Sequence, residues 1–129
     1  MGVGKTAQVL ARLEQRRAES KGPSLAVVPR SLIFNWKQEA ARFTPMLRVL
    51  DHTGSDRSTE GFGEYDLILT TYGTLRRDIE LLKEVRFDYV ILDEAQSIRN
   101  ASTDSAKASR LLDASNRLAL TGTPVENRL

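Results

Sequence analysis

Tyr89-Val90-Ile91-Leu92-Asp93-Glu94-Ala95-Gln96 is the stretch on which the reading of the fold turns. Its apolar half is too short for a buried helix and is partly β-branched and aromatic, so it predicts a strand buried on both faces. Asp93 and Glu94 then stand at the carboxyl end of that strand. In open α/β sheets this is the edge where ligands bind. Two adjacent carboxylates leaving a buried strand are electrostatically awkward unless a cation or a proton-transfer task occupies them. A strand that simply exits into a polar turn is the plainer alternative, and this stretch alone leaves both open.

The flanks repeat the pattern. The strand covers residues 85–94. Before it, Leu75, Ile79 and Leu82 mark a helix, preceded by a short strand over residues 66–70 that runs into Thr70-Thr71-Tyr72-Gly73. Two hydroxyls and an aromatic ring at a strand end suit a nucleic-acid backbone, or equally a strand-to-helix turn with hydroxyl caps. After it, residues 97–104 are polar, and Ala106, Ala108, Leu111 and Leu112 predict a short helix. Arg117-Leu118-Ala119-Leu120 is a last strand, ending in Thr121-Gly122-Thr123-Pro124.

Further towards the start, residues 25–28 form a strand stopped by Pro29. Arg30 and Ser31 follow; they are placed to touch a ligand or to open the next helix, for which Ser31 is a good N-cap. In that helix Leu32, Ile33, Trp36, Ala40 and Phe43 make an apolar stripe, with Lys37, Gln38 and Glu39 outward. Trp36 on the stripe reads as core rather than as a base-stacking platform. Residues 47–50 are a short strand. His52, the only histidine, lies in a polar stretch over residues 51–64. With no second histidine it reads as a solvated loop residue.

Gly2-Val3-Gly4-Lys5-Thr6 is the second half of a phosphate-binding loop, Gly-x4-Gly-Lys-Ser/Thr. Glycines let backbone N–H groups close around phosphate oxygens, and a helix opened by Gly4, Lys5 and Thr6 favours an anion at its start. Lys5 would reach the terminal phosphates and the Thr6 hydroxyl would ligate Mg²⁺. Val9, Leu10 and Leu13 then form the buried stripe of a helix, with Glu14, Arg16, Arg17 and Glu19 exposed. The first six residues also fit the N-myristoylation pattern formally, a coincidence of where the chain begins.

With 129 residues, 40% hydrophobic and 28% charged, the chain is one globular domain's worth. Nineteen basic and seventeen acidic residues leave a net charge of +2, too balanced to argue for nucleic acid by electrostatics alone. There is no cysteine, hence no disulfide framework and no thiolate metal site, which fits a reducing cytosol. No apolar run approaches the ~18 residues of a membrane span, so no membrane partner is expected.

Strands of four to five apolar residues alternating with helices predict an α/β fold with a parallel sheet flanked by helices. Polar groups then converge on one edge: residues 2–6, Arg30 and Ser31, Thr70 to Tyr72, Asp93 to Gln96, and Thr121 to Thr123. A nucleotide site follows from that convergence. Asp93 is assigned to the Mg²⁺ shell through water, and Glu94 to activating the attacking water as general base.

Taken together these motifs resemble the first RecA-like lobe of a Swi/Snf-type, helicase-related ATPase. Gly-Val-Gly-Lys-Thr resembles that family's nucleotide loop. Val-Val-Pro-Arg-Ser-Leu-Ile-Phe-Asn-Trp, Thr-Thr-Tyr-Gly-Thr-Leu, Asp-Glu-Ala-Gln-Ser-Ile-Arg-Asn and Leu-Thr-Gly-Thr-Pro-Val-Glu-Asn follow in the family's order, across essentially the whole chain. The resemblance implies ATP-driven translocation along double-stranded DNA. It implies triphosphate binding by Gly2, Val3, Gly4, Lys5 and Thr6, and Mg²⁺ and water activation by Asp93 and Glu94. Gln96, Thr121, Gly122 and Thr123 would couple hydrolysis to lobe movement; Arg30, Ser31, Thr70, Thr71 and Tyr72 would lie toward DNA.

Asp-Glu-Ala-Gln looks like the prokaryotic branch, which implies a cytoplasmic, nucleoid-associated protein. Residues 1–129 are then expected to be a partial ATP-binding lobe, lacking the strand before the phosphate loop and the second RecA-like lobe with its arginines. Such a piece is expected to hydrolyse ATP weakly or not at all and to carry an unpaired sheet edge. A non-catalytic nucleotide-binding or interaction module is the competing reading.

Overall fold

Leu25, Ala26 and Val27 have no exposed surface. They lie in β1 (Ser24–Val27), bounded by Gly22-Pro23 before and Pro29 after, where proline removes the N–H that a longer strand would need. The computed structural model describes residues 2–19, 22–54, 58–94 and 107–121. The other strands are β2 (Val49–Asp51), β3 (Leu67–Thr70), β4 (Arg86–Glu94) and β5 (Asp113–Thr121). They form one sheet in the order β2-β3-β1-β4-β5 with every pair parallel. Leu25 and Val27 point to one face, Ala26 and Val28 to the other, and each face has its own buried cluster.

On the first face lie α1 (Gly2–Gln15) and α2 (Ile33–Phe43), which pack Leu10, Leu13, Trp36 and Ala40 against Ala26, Leu69 and Ile91. On the second, α3 (Tyr72–Arg77) and α4 (Ile79–Leu82) bring Leu75 and Leu82 to Val27, Ile68 and Val90, with Phe62 and Leu112 beside them. Helices on both faces explain why the inner strands read as unbroken apolar runs.

The direction of α1 is set by ions. Arg16 donates from Nε and a terminal nitrogen to both oxygens of Asp88, each at 2.8 Å, and its guanidinium lies 5.7 Å from the Tyr89 ring centre. Arg17 and Arg48 both donate to Asp66, at 3.3 and 3.2 Å, and the Arg48 N–H adds a bond of 2.9 Å. Asp88 and Asp66 stand at the amino ends of β4 and β3. The turn that follows α1 is therefore fixed to the amino edge of the sheet, and the helix's first turn, about 20 Å away at 1.5 Å per residue, points to the carboxyl edge.

Several expectations are corrected. Arg16 and Arg17 are half-buried ion-pair partners, not exposed side chains. The helix read through Leu75, Ile79 and Leu82 breaks at Asp78 into α3 and α4. Ser31 caps nothing: Arg30–Leu32 form a 3-10 turn and Leu32 precedes α2. Glu39 is buried and Phe43 is 46% exposed, so the buried face of α2 is rotated from the expected stripe. The last strand is nine residues long instead of four. Among the described residues it pairs on one side only, with β4, and its Leu118 is 37% exposed.

Two stability predictions follow from this packing. A Cβ at Gly22 would meet the Arg86 carbonyl oxygen at 2.6 Å. Gly22→Ala is expected to cost about 1–3 kcal/mol in denaturant unfolding, because backbone has to shift to admit it. Burial acts to raise the Asp66 carboxyl, but the side-chain and backbone bonds from Arg48, with that from Arg17, outweigh it and hold it below the ordinary value. A lowered carboxyl contributes stability that is full above its unfolded pKa of about 4 and is lost as pH falls through the folded value. Asp66→Asn should therefore destabilise at pH 7 and converge with wild type as pH falls through the lowered folded value; a constant gap across pH would contradict this.

Candidate functional site

The carboxyl ends of the strands and the start of α1 lie toward one edge of the sheet. Asp93 lies one residue before the end of β4 and is buried, on the same face as Ile91, toward α1 and α2. Its Oδ2 accepts the indole N–H of Trp36 at 3.2 Å. Its backbone carbonyl accepts the Tyr72 hydroxyl, also at 3.2 Å, from α3 on the opposite face. Across the ladder Asp93 is registered with Leu120 of β5.

Leu120 also lines a groove of about 610 Å³ between α1 and β5, together with Lys5, Gln8, Arg12, Tyr89 and Asn116. This brings the first turns of α1 to the same edge as Asp93. Lys5 is exposed there and Thr6 is buried, at 4% exposure. Gly2 to Gly4 are already helical. The side chains of Val3, Glu94 and Thr121 lie outside the described part of the structure, as do Gln96, Gly122 and Thr123 altogether.

Beyond β1, Pro29 is extended (φ −61°, ψ 145°) and turns the chain into Arg30–Leu32, where Arg30 and Ser31 are exposed. Beyond β3 the hydroxyls turn inward. Thr70 has no exposed surface and donates to the His52 carbonyl at 2.8 Å. Thr71 is the N-cap of α3: its oxygen accepts the Thr74 N–H at 3.2 Å and donates to the Thr74 hydroxyl at 3.0 Å. Of the five expected DNA-facing residues, Arg30 and Ser31 are exposed, Tyr72 is half-buried with its hydroxyl donating to the Asp93 carbonyl, and Thr70 and Thr71 are buried in this conformation.

His52 is the plainest correction. It is 3% exposed, and its Nε2 lies 2.9 Å from Asp78 Oδ2, with the Phe62 ring edge-on at 5.2 Å. The His52 N–H also bonds the Leu69 carbonyl at 2.7 Å. A single histidine counts for little in a search for metal ligands, but its place just past a strand end was the signal: that edge is packed, and a polar group there needs a partner. The buried Glu39, one turn beyond Trp36 on α2, was missed because the apolar stripe was drawn through Ala40 alone; its Oε1 has no hydrogen-bond partner in the structure.

The donor set fits a nucleotide-bound Mg²⁺. Among the described residues no group of three or more His, Cys, Asp or Glu could cage a metal by itself. One buried carboxylate and one threonine hydroxyl at a helix start are what Mg²⁺ requires when phosphates and water fill the other positions.

Residues 1–129, the whole chain, match the SNF2-related domain. The chain belongs to that family. It is similar to the DNA excision repair protein ERCC-6-like of Danio rerio, 41% identical over 141 residues that cover 100% of this chain and 10% of that protein. It is 38% identical over 136 residues to the putative ATP-dependent helicase/translocase YwqA of Bacillus subtilis, covering 100% of this chain and 15% of YwqA. The SNF2-related chain thus spans well under a fifth of these curated relatives. Its fold superposes on the Sulfolobus solfataricus SWI2/SNF2 ATPase core in complex with dsDNA with a TM-score of 0.84 and 44% identity, covering 99% of this chain and 27% of that one. The parallel sheet with helices on both faces is the RecA-like lobe of such a core.

Removing the Asp78 carboxylate leaves the buried His52 ring nitrogen without this acceptor. Asp78→Ala is expected to cost about 1–3 kcal/mol of folding stability, read by chemical denaturation, since an unsatisfied buried polar group carries its full desolvation penalty. An effect within experimental error would show that the pair is idle.

Proposed function

We propose that this chain is the ATP-binding and hydrolysing lobe of a DNA-dependent ATPase that moves along double-stranded DNA. The observation that carries the reading is the meeting, at one sheet edge, of a Gly-Lys-Thr helix start and a buried strand-end carboxylate. The whole-length match to the SNF2-related domain supports it, as does the likeness to a core whose structure contains dsDNA.

Each residue has a role in this reading. The backbone N–H groups of Gly2, Val3 and Gly4 and the helix start receive phosphate oxygens, and Lys5 neutralises their charge. Mg²⁺, when bound with ATP, supplies further neutralisation at the phosphates; Thr6 and Asp93 are the residues that hold it. Glu94 takes the proton of the attacking water. Gln96, Thr121, Gly122 and Thr123 carry the change to a second RecA-like lobe. Arg30 and Ser31, exposed beyond β1, contact the DNA backbone, which is where positioning contacts on nucleic acid are made.

The test is made in the full-length protein. Lys5→Ala and Glu94→Gln are each expected to lower DNA-stimulated ATP hydrolysis by about 100-fold or more, as loss of a group that stabilises the transferring phosphoryl does. Glu94→Gln should still bind Mg-ATP. Full DNA-stimulated hydrolysis in both folded variants would overturn the assignment.

A further inference from the structure

Trp36 is the only tryptophan of the chain and has no exposed surface. Its ring is embedded between α1, α2 and the sheet, in the cluster that contains Leu10, Ala26, Val28 and Ile91. A ring buried for its apolar area alone needs no indole at this point; phenylalanine or leucine fills such space without a donor that has to be satisfied. The donor here is aimed at one specific acceptor, Asp93 Oδ2, at 3.2 Å. That oxygen belongs to the residue that, on the reading above, holds Mg²⁺.

We propose that Trp36 is a positioning residue for Asp93: its indole N–H sets the rotation of the carboxylate that faces the nucleotide-bound cation. This rests on the proposed function for the role of Asp93, and on the structure for the contact. The mechanical argument has two parts. A carboxylate at a strand end can rotate about its terminal bond, and this torsion is broad in an unconstrained aspartate. A hydrogen bond to one of its oxygens from a ring that is itself immobilised by packing removes that freedom before the cation arrives. Tyr72 does the same for the main chain, donating to the Asp93 carbonyl from the other face of the sheet. Side chain and backbone of one residue are thus held from two helices.

The two helices matter because of where they begin. α2 follows directly on the exposed Arg30–Leu32 turn, and α3 on Thr71, the residue just past β3. The indole therefore ties the turn proposed to meet DNA to the carboxylate proposed to meet Mg²⁺, through the single helical turn that separates residues 32 and 36. The backbone bond from Tyr72 ties the second turn to the same residue. Partners that orient a metal's own ligand typically matter tenfold to a hundredfold in affinity or activity.

The experiment uses the full-length protein and two readouts that do not depend on turnover. First, the Trp36 indole N–H resonance is recorded without metal or nucleotide and identified by its loss in Trp36→Phe. A bond to a carboxylate is expected to shift it downfield and slow its exchange, and Asp93→Asn should move it upfield. An indole resonance that is the same in wild type and Asp93→Asn would overturn the contact. Second, Mn²⁺ affinity is measured in the presence of a non-hydrolysable ATP analogue. Trp36→Phe is compared with a protein carrying benzothienylalanine at position 36, which keeps the ring shape and lacks the N–H, and one carrying 7-azatryptophan, which keeps it. Mn²⁺ should bind about tenfold more weakly to the first two and close to normally to the third. Wild-type Mn²⁺ affinity in the folded benzothienylalanine protein would overturn the positioning role. If Trp36→Phe does not fold, the benzothienylalanine protein and the Asp93→Asn resonance decide. Failure of the ATPase reading itself shows separately, as unchanged hydrolysis in Lys5→Ala.

Discussion

The parallel pairing of Leu25, Ala26 and Val27 with β3 on one side and β4 on the other is the constraint on which the rest of the structure depends. Parallel neighbours cannot be joined by a tight turn, so the chain needs longer crossovers: α2 lies between β1 and β2, and α3 and α4 between β3 and β4. The same constraint sends every strand the same way. All carboxyl ends then lie on one edge and all amino ends on the other. What the protein does with polar residues follows from that separation.

The two edges are treated differently. At the amino edge charge is neutralised by charge: Asp88 takes a two-pronged arginine, and Asp66 takes two arginines and a backbone N–H. At the carboxyl edge Thr70, Thr71, His52 and Tyr72 form neutral or locally paired bonds, and the Asp93 carboxylate accepts the indole N–H of Trp36. An indole N–H orients the carboxylate without cancelling its charge.

How much could be read beforehand follows from the same separation. Strands over residues 24–27, 67–70 and 86–94 are legible because both faces are covered, which writes an apolar run into the sequence whatever the helices are. β5 is not: among the described residues it pairs on one side only, it begins Asp113-Ala114-Ser115-Asn116, and only its inner part, from Arg117, carries a strand signal. The helix break at Asp78 is hidden because Leu75, Ile79 and Leu82 keep helical spacing across it; at the break Asp78 meets His52, a contact 26 residues apart. Arg16 and Arg17 pair over 72 and 49 residues, beyond any local pattern. Of the site, Lys5, Thr6 and Asp93 were legible from motif and strand end. Their common edge is described by the structure, while the indole contact appears in no spacing rule.

That contact also bears on where a nucleic acid would be met. The hydroxyls beyond β3 are consumed inside: Thr70 closes onto His52, Thr71 caps α3, and Tyr72 reaches Asp93. Opening any of them to a ligand would break the bonds that shape the edge. In the Arg30–Leu32 turn, by contrast, Arg30 and Ser31 are exposed, Leu32 packs against the core, and the extended Pro29, not a side-chain cap, leads into it. A guanidinium and a hydroxyl held on a rigid turn, one helical turn from the indole that orients Asp93, can exchange partners without disturbing the core. The exposed turn and the carboxylate are thus connected in the structure by one packed ring, that of Trp36, one helical turn beyond Leu32.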